Sequence, residues 1–248
     1  MKISIITVCY NSEATIELAL CSVLSQNHPD LEYIVIDGGS ADKTLEIIQK
    51  YADRIHCVIS EKDEGIYYAL NKGIAMATGD IVGILHSDDF YASDSVLAAV
   101  ARAMEDQCID AVYGDLQYVS KEDSEKVTRN WISGSYQEGM FLKGWMPPHP
   151  SFFVRRCCYF RLGVFNTTFR SAADYELMLR FIHKHKIRLS YLPQVLVKMR
   201  VGGKSNQSLF NRLRANREDR LAWKVNNLQP GLWTLTLKPL SKLIQFFS

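Results

Sequence analysis

No CxxC pair occurs among the six cysteines of the 248-residue sequence, Cys9, Cys21, Cys57, Cys108, Cys157 and Cys158. That spacing removes the zinc-ribbon and dithiol redox classes, and a chain this long needs no disulfide staples. The thiols are expected to be reduced and partly buried, in a cytoplasmic protein. No G-x-G-x-x-G follows the first apolar run, so the phosphate fingerprint of a dehydrogenase is missing. Cys9-Tyr10-Asn11-Ser12-Glu13 also lacks the Gly-rich, Lys- or Arg-bearing loop that a nucleotidyltransferase usually carries there. Internal repeats and low-complexity tracts are absent. The opening MKISIITVCYN is too brief for a secretory signal and has no small-residue cleavage site. The apolar run near the C-terminus is interrupted and falls short of the about 20 residues a spanning helix takes.

What remains is an ordinary globular composition, 47% hydrophobic and 23% charged, enough to build one sizeable core. The net charge of +2 conceals an asymmetry: residues 1–197 carry 19 basic and 25 acidic side chains, whereas 198–248 carry 10 basic and 2 acidic. A basic end on an acidic body suggests an anionic neighbour.

Strand-like and helix-like patterns alternate through the first half, the signature of a parallel sheet with crossover helices. Strands are expected at Ile3–Val8, Tyr33–Ile36, His56–Ile59 and Ile81–Leu85, with helices near Glu13–Ser25, Asp42–Tyr51 and Gly65–Ala77. Asn11 or Ser12 is a candidate cap for the first helix, Ser40 for the second and Ser93 for a fourth that runs to Met104. Beyond Ala111–Asp115 and Leu116–Val119 the alternation stops. Residues 120–150 read as irregular structure over a ligand, ending in Trp145-Met-Pro-Pro-His-Pro150. A helix over Ser171–Lys184, strands at Ile187–Leu192 and Val195–Val201, and a basic helix over Ser208–Asn226 complete the reading, for about seven strands.

Asp88 and Asp89 directly follow the strand Ile81–Leu85, which puts two carboxylates at a strand's carboxyl end, where open α/β sheets bind ligands. Adjacent carboxylates repel, and a hard divalent cation makes such a pair tolerable. An Asp-rich turn is the alternative. Asp37 closes the second strand before Gly38-Gly39-Ser40, placed to accept hydrogen bonds from a base or ribose; a plain βα turn would look the same.

The segments Ile5-Ile6-Thr7-Val8-Cys9-Tyr10-Asn11, Val35 to Thr44, Asp63-Glu64-Gly65-Ile66-Tyr67, Ala69 to Asp80 and Leu85-His86-Ser87-Asp88-Asp89 together resemble the family 2 glycosyltransferases of GT-A fold. Within that family the sequence is most similar to transferases of bacterial surface-polysaccharide assembly, such as those of colanic acid, capsule and O-antigen. The resemblance runs from Met1 to about Val201.

It implies a mostly parallel central sheet with helices on both faces. The catalytic domain would span 1–205, with a nucleotide-sugar half at 1–115 and an acceptor half at 116–205, followed by a basic helix and amphipathic tail at 206–248. It puts Thr7, Cys9 and Asn11 under the nucleotide, Asp37 on the base, Asp63 at the base or ribose, Asp88 near the ribose, and Asp89 on Mg²⁺ or Mn²⁺. Many members carry a second aspartate where this chain has Gly38. The catalytic base would be Asp174 in Ser171-Ala172-Ala173-Asp174-Tyr175-Glu176; capping of a helix start is the alternative role. His149 would meet a phosphate or an acceptor hydroxyl, and Lys204 in Gly202-Gly203-Lys204-Ser205 the diphosphate.

The implied reaction moves a sugar from a nucleotide diphosphate donor to an acceptor hydroxyl with inversion. Partners would be the donor, a saccharide or lipid-linked saccharide acceptor, and an anionic membrane surface that the basic tail could meet at the inner face of the cell membrane. No nucleic acid partner is expected. The rival functions are a nucleotidyltransferase and a non-catalytic nucleotide-sugar-binding subunit.

Overall fold

The computed structural model describes residues 1–202, 209–231 and 234. Nine strands form one sheet, in the order β3-β2-β1-β4-β8-β6-β9-β5, with β7 paired to β6. β1 (Ile3–Cys9) lies between β2 (Leu31–Asp37) and β4 (Ile81–Ile84), parallel to both, and β2 is parallel to β3 (Cys57–Ser60). β6 (Ala111–Val119) is parallel to β9 (Leu189–Arg200). Three strands run against these six: β5 (Asp89–Tyr91), β7 (Val127–Trp131) and β8 (Phe152–Arg155). The sheet is therefore mostly parallel, as expected.

All seven residues of β1 are buried, because helices cover both faces of the sheet. The pleat sends Ile3, Ile5 and Cys9 into one core and Ile6 and Val8 into the other. On the first side lie α1 (Ile16–Leu24), α2 (Thr44–Gln49) and α4 (Val96–Ala103), through Ile16, Leu20, Val23, Ile48, Val96 and Val100. On the other lie α3 (Ile66–Met76), α5 (Arg156–Leu162), α6 (Ala173–Met178) and α7 (Leu209–Val225). Gly73 lets α3 rest directly on β1, since a Cβ there would stand 2.5 Å from Cγ2 of Ile6.

The structure changes several expected details. β6 and β9 are each one bulged strand rather than two, their register shifting around Asp115. β5, β7 and β8 add three short antiparallel strands, two of them within or beside the stretch expected to be irregular. None of the expected serine or asparagine caps closes its helix by a side-chain bond. Ser40 Oγ instead accepts the amide of Asn11 at 2.8 Å, and Asn11 Oδ1 accepts the amide of Ala41 at 2.9 Å. These bonds fasten the β1–α1 loop to the β2–α2 loop. Asn11 has φ 49°, a left-handed conformation asparagine tolerates.

Helix α6 runs on through a wide π-helical turn, Leu179–Lys184. Ala222 and Trp223 of α7 are fully buried in the core beneath α6, so this helix shares the core of the main body.

Candidate active site

The carboxyl ends of β1 to β4 lie side by side, with Cys9 the register partner of Asp37 and Asp37 that of Ser60. Asp37 is fully buried. One of its oxygens accepts the amides of Gly39 (3.1 Å) and Ser40 (3.0 Å) and the hydroxyl of Ser60 (2.7 Å), while the other accepts the hydroxyl of Ser40. Burial works to raise its pKa, but the Ser40 and Ser60 hydroxyls and the Ser40 amide outweigh it and hold the carboxyl below its ordinary value. Asp37 thus organises the Gly38–Ser40 turn from inside.

Thr7 and Cys9 lie in β1, beneath these turns. The pleat points both into the core under α1: Thr7 is fully buried with its hydroxyl 3.0 Å from that of Tyr33, and Cys9 Sγ lies 3.6 Å from Asp37 Oδ1. Burial first, then the neighbouring carboxylate of Asp37, pushes the Cys9 thiol far up, so it stays protonated and inert. These two side chains support the wall of the site.

Asp63, in the loop after β3, binds Lys72 Nζ of α3 at 2.8 Å through Oδ1, and Lys72 also reaches Glu61. Its other oxygen is buried with no hydrogen-bond partner. Such a group costs stability unless something donates to it, which makes it a ready acceptor for a ligand's N–H or O–H.

Beyond β4 the chain passes His86, Ser87 and Asp88 and enters β5 at Asp89. Ser87 Oγ lies 2.9 Å from Ser12 Oγ, which joins this turn to the β1–α1 loop. Asp89 is 1% exposed and neither carboxylate oxygen has a partner. Burial, then the charge of Asp88, drives its pKa well up, and only Arg200 opposes. A carboxylate in that condition suits a cation. Among the described residues no cluster of three or more His, Cys, Asp or Glu could hold a metal by itself. Mg²⁺ and Mn²⁺ are commonly held by one or two carboxylates with water and phosphate oxygens, so Asp89 with Asp88 beside it would be the residues to hold such an ion.

His86, in this turn, lies beside His149. The rings of His86 and His149 are 5.9 Å apart. Burial lowers the pKa of His86, while Asp88 and Asp174 both pull it upward, so carboxylates from opposite halves of the chain act on one ring. His149 is buried against Phe165, and burial with the charge of His86 pushes its pKa down to about 3, leaving it neutral at pH 7.

Asp174 lies in the first turn of α6, half-buried. Glu176, two residues on, is 2% exposed and already engaged by Arg180 at 2.9 and 3.1 Å and by Asn226 at 2.9 Å. Tyr67 on α3 accepts the amide of Ala173 at 3.2 Å. Asp174 is therefore the carboxylate of this turn that is not held in such a pair.

Sequence reasoning passed over His86 and Arg200. His86 had a signal, since it stands between a strand's carboxyl end and the Asp pair. Arg200 donates to the main-chain oxygen of Asp88 at 3.1 Å, a contact made only because β9 pairs with β5. Lys204 and the C-terminal apolar run lie outside the described residues.

The chain is similar to several known glycosyltransferases. A glycosyltransferase of PGL/p-HBAD biosynthesis from Mycobacterium bovis is 29% identical over 208 residues, covering 82% of this chain and 78% of its own. The putative teichuronic acid biosynthesis glycosyltransferase TuaG of Bacillus subtilis is 38% identical over 109 residues, 43% of each chain. The fold is shared with the mannosyltransferase PcManGT of Pyrobaculum calidifontis, solved in complex with GDP-Man and Mn²⁺: TM-score 0.64, 21% identity, covering 98% of this chain and 74% of that one. The family model described as glycosyl transferase family 2 matches residues 4–169, from the first strand through the aspartate pair and up to the loop before α6. With this sheet and these strand ends beneath that match, the chain belongs to glycosyl transferase family 2, with the GT-A fold.

Proposed function

We propose that this glycosyltransferase takes its sugar from a nucleoside diphosphate donor and passes it with inversion to an acceptor hydroxyl in the assembly of a cell-surface polysaccharide. The observation that carries the reading is Asp89, buried in the turn after β4 with neither carboxylate oxygen partnered. A divalent cation, when bound, neutralises charge on the departing diphosphate; Asp89 would hold it, with Asp88 beside it.

Asp174 accepts the proton of the attacking hydroxyl at its carboxylate. Attack from the face opposite the leaving group inverts the configuration. Asp63 offers a free acceptor oxygen to the base or ribose, Asp37 and Asn11 shape the turns beside it, and neutral His149 can bond a phosphate or hydroxyl without adding charge. The teichuronic acid relative supports the polysaccharide assignment, and the neighbour with GDP-Man and Mn²⁺ supports donor and ion.

The test is release of nucleoside diphosphate from a panel of UDP-, GDP- and dTDP-sugars, with Mn²⁺ and with EDTA. Metal-dependent release from at least one donor is expected; undiminished release in excess EDTA removes the metal from the scheme.

The membrane surface is the second partner proposed. The exposed face of α7 carries Arg217, Arg220 and Lys224 beside Leu221 and Val225, which are 39% and 44% exposed. Cations interleaved with aliphatic side chains suit an anionic lipid surface. No helix among the described residues is long and apolar enough to cross a membrane. Sedimentation with phosphatidylglycerol vesicles should weaken on adding salt and on Arg217→Ala, Arg220→Ala, Lys224→Ala triple substitution. Equal binding to neutral phosphatidylcholine vesicles would contradict the idea.

A further inference from the structure

We infer that Glu218, on α7, is a positioning residue that sets the orientation of Asp174, an inference that rests on reading Asp174 as the base. The carboxylate of Glu218 accepts the amides of three consecutive residues just before α6: Arg170 at 3.2 Å, Ser171 at 2.8 Å and Ala172 at 2.9 Å. The residue at the cap position of α6, Ala172, has no side chain able to bond those amides. A helix start leaves its first N–H groups without partners, and here the acceptors come from elsewhere in the fold. Glu218 takes the amides before the helix and the Tyr67 hydroxyl takes that of Ala173.

The first helical bond, from the Glu176 amide to the Ala172 carbonyl, is 2.9 Å. Ala172 is thus fixed at its amide by Glu218 and at its carbonyl by α6, two residues before Asp174. The α-helical part of α6 is only six residues long and cannot hold its own direction. Two further bonds from α7 hold it: Trp223 Nε1 donates to the Tyr175 hydroxyl at 2.9 Å, and Asn226 Nδ2 donates to Glu176 at 2.9 Å. Among these contacts only that of Glu218 reaches three amides at once, and charge-assisted bonds of this kind are the strong ones.

None of the three amides belongs to Asp174, and no atom of Glu218 needs to touch substrate. Its effect on chemistry passes through the backbone. A general base misplaced by about 1 Å can cost on the order of 100-fold in rate, while donor binding at the far side of the turn is unaffected.

The experiment uses the full chain with GDP-mannose and UDP-N-acetylglucosamine as donors, Mn²⁺ present, in Glu218→Ala, Glu218→Gln, Asp174→Asn and the double variant Glu218→Ala with Asp174→Asn. Glu218→Ala should lower kcat by about 10- to 100-fold with donor KM within about twofold. Glu218→Gln, which keeps an acceptor oxygen, should recover part of the loss and covers the case in which the alanine variant fails to fold. In the Asp174→Asn background Glu218→Ala should cost nothing more, because the two act as one unit.

Amide exchange at Ser171 and Ala172, measured without donor, should speed up in the Glu218 variants. Full kcat in Glu218→Ala while Asp174→Asn is dead overturns the inference, as does an additive loss in the double variant or unchanged exchange at the two amides. Near-normal turnover of Asp174→Asn would instead remove the base reading on which the inference stands, a separate result.

Discussion

Glu176 and Arg180 are joined by two parallel hydrogen bonds one helical turn apart, Nε to Oε1 at 2.9 Å and Nη2 to Oε2 at 3.1 Å. Both side chains are largely out of solvent, at 3% and 13% exposed. This pair separates two carboxylates that the sequence leaves in competition.

Asp174→Asn should reduce sugar transfer by about 10²–10⁴ with little change in melting temperature. Glu176→Gln should do the reverse. It leaves the Arg180 guanidinium without its counter-ion in a buried place, and losing one partner of such a pair costs about 3–5 kcal/mol, less where an amide still accepts one bond. Transfer kinetics and thermal melting on both variants decide it: a stable but inactive Glu176→Gln would move the base to Glu176.

A second expectation concerns Asp89, whose two buried oxygens lack partners. Asp89→Asn should abolish transfer, yet in EDTA it should melt higher than wild type, because an amide of the same shape replaces an uncompensated charge. A gain on the order of 1 kcal/mol corresponds to about 2–4 °C for a chain of this size. Mn²⁺ should raise the wild-type melting temperature and leave the variant unmoved. Equal shifts in both proteins would place the ion elsewhere.

The neutral His149 makes stability depend on pH in a definite direction. Its pKa is about 3 in the fold against 6.5 ordinarily, so between those values the unfolded chain binds the extra proton. Its contribution is complete above about pH 6.5 and is lost as the pH falls toward 3. His149→Phe keeps an aromatic ring against Phe165 and removes the titration. The fall in melting temperature between pH 7 and pH 5 should therefore be shallower in the variant; identical slopes would mean the ring is protonated in the fold.

Packing supplies a fourth expectation at Gly83 in β4. A Cβ there would come within 2.6 Å of the Phe153 ring and 2.8 Å of Ile5, both fully buried. Gly83→Ala should destabilise the protein by about 1–3 kcal/mol through overpacking, as chemical denaturation can measure. A loss under 0.5 kcal/mol, the scatter of ordinary surface changes, would show that the ring can move aside.

The strands legible in the sequence are those buried on both faces, such as β1, where every residue is in the core and the apolar run is unbroken. β7 was hidden because its residues are exposed or half-exposed and polar, and β8 because it follows Pro147, Pro148 and Pro150. β5 was hidden inside the aspartate pair: only three residues long, it is a strand because β9 offers it an edge. The same distinction runs through the site. Asp88 and Asp89 stand out as candidates from local context and Asp174 through the family resemblance, whereas the inward turn of Asp37 depends on Ser60 from the next strand. Glu218 and Arg200 could not be found, since each acts through a contact made far along the chain. The Glu176–Arg180 pair, by contrast, stands at i,i+4 spacing that a helix reading could have used.

The pairing of β5 with β9 also sets an order of events in time. Asp89, Phe90 and Tyr91 lie opposite Met199, Lys198 and Val197, so the seat of the proposed metal carboxylate is completed by residues made long after it. Synthesis runs at about 5–20 residues per second. Asp89 then waits several seconds for the strand that fixes it. A nascent chain that lacks β9 therefore has no partner for β5, and the surroundings of Asp89 are completed only when β9 docks.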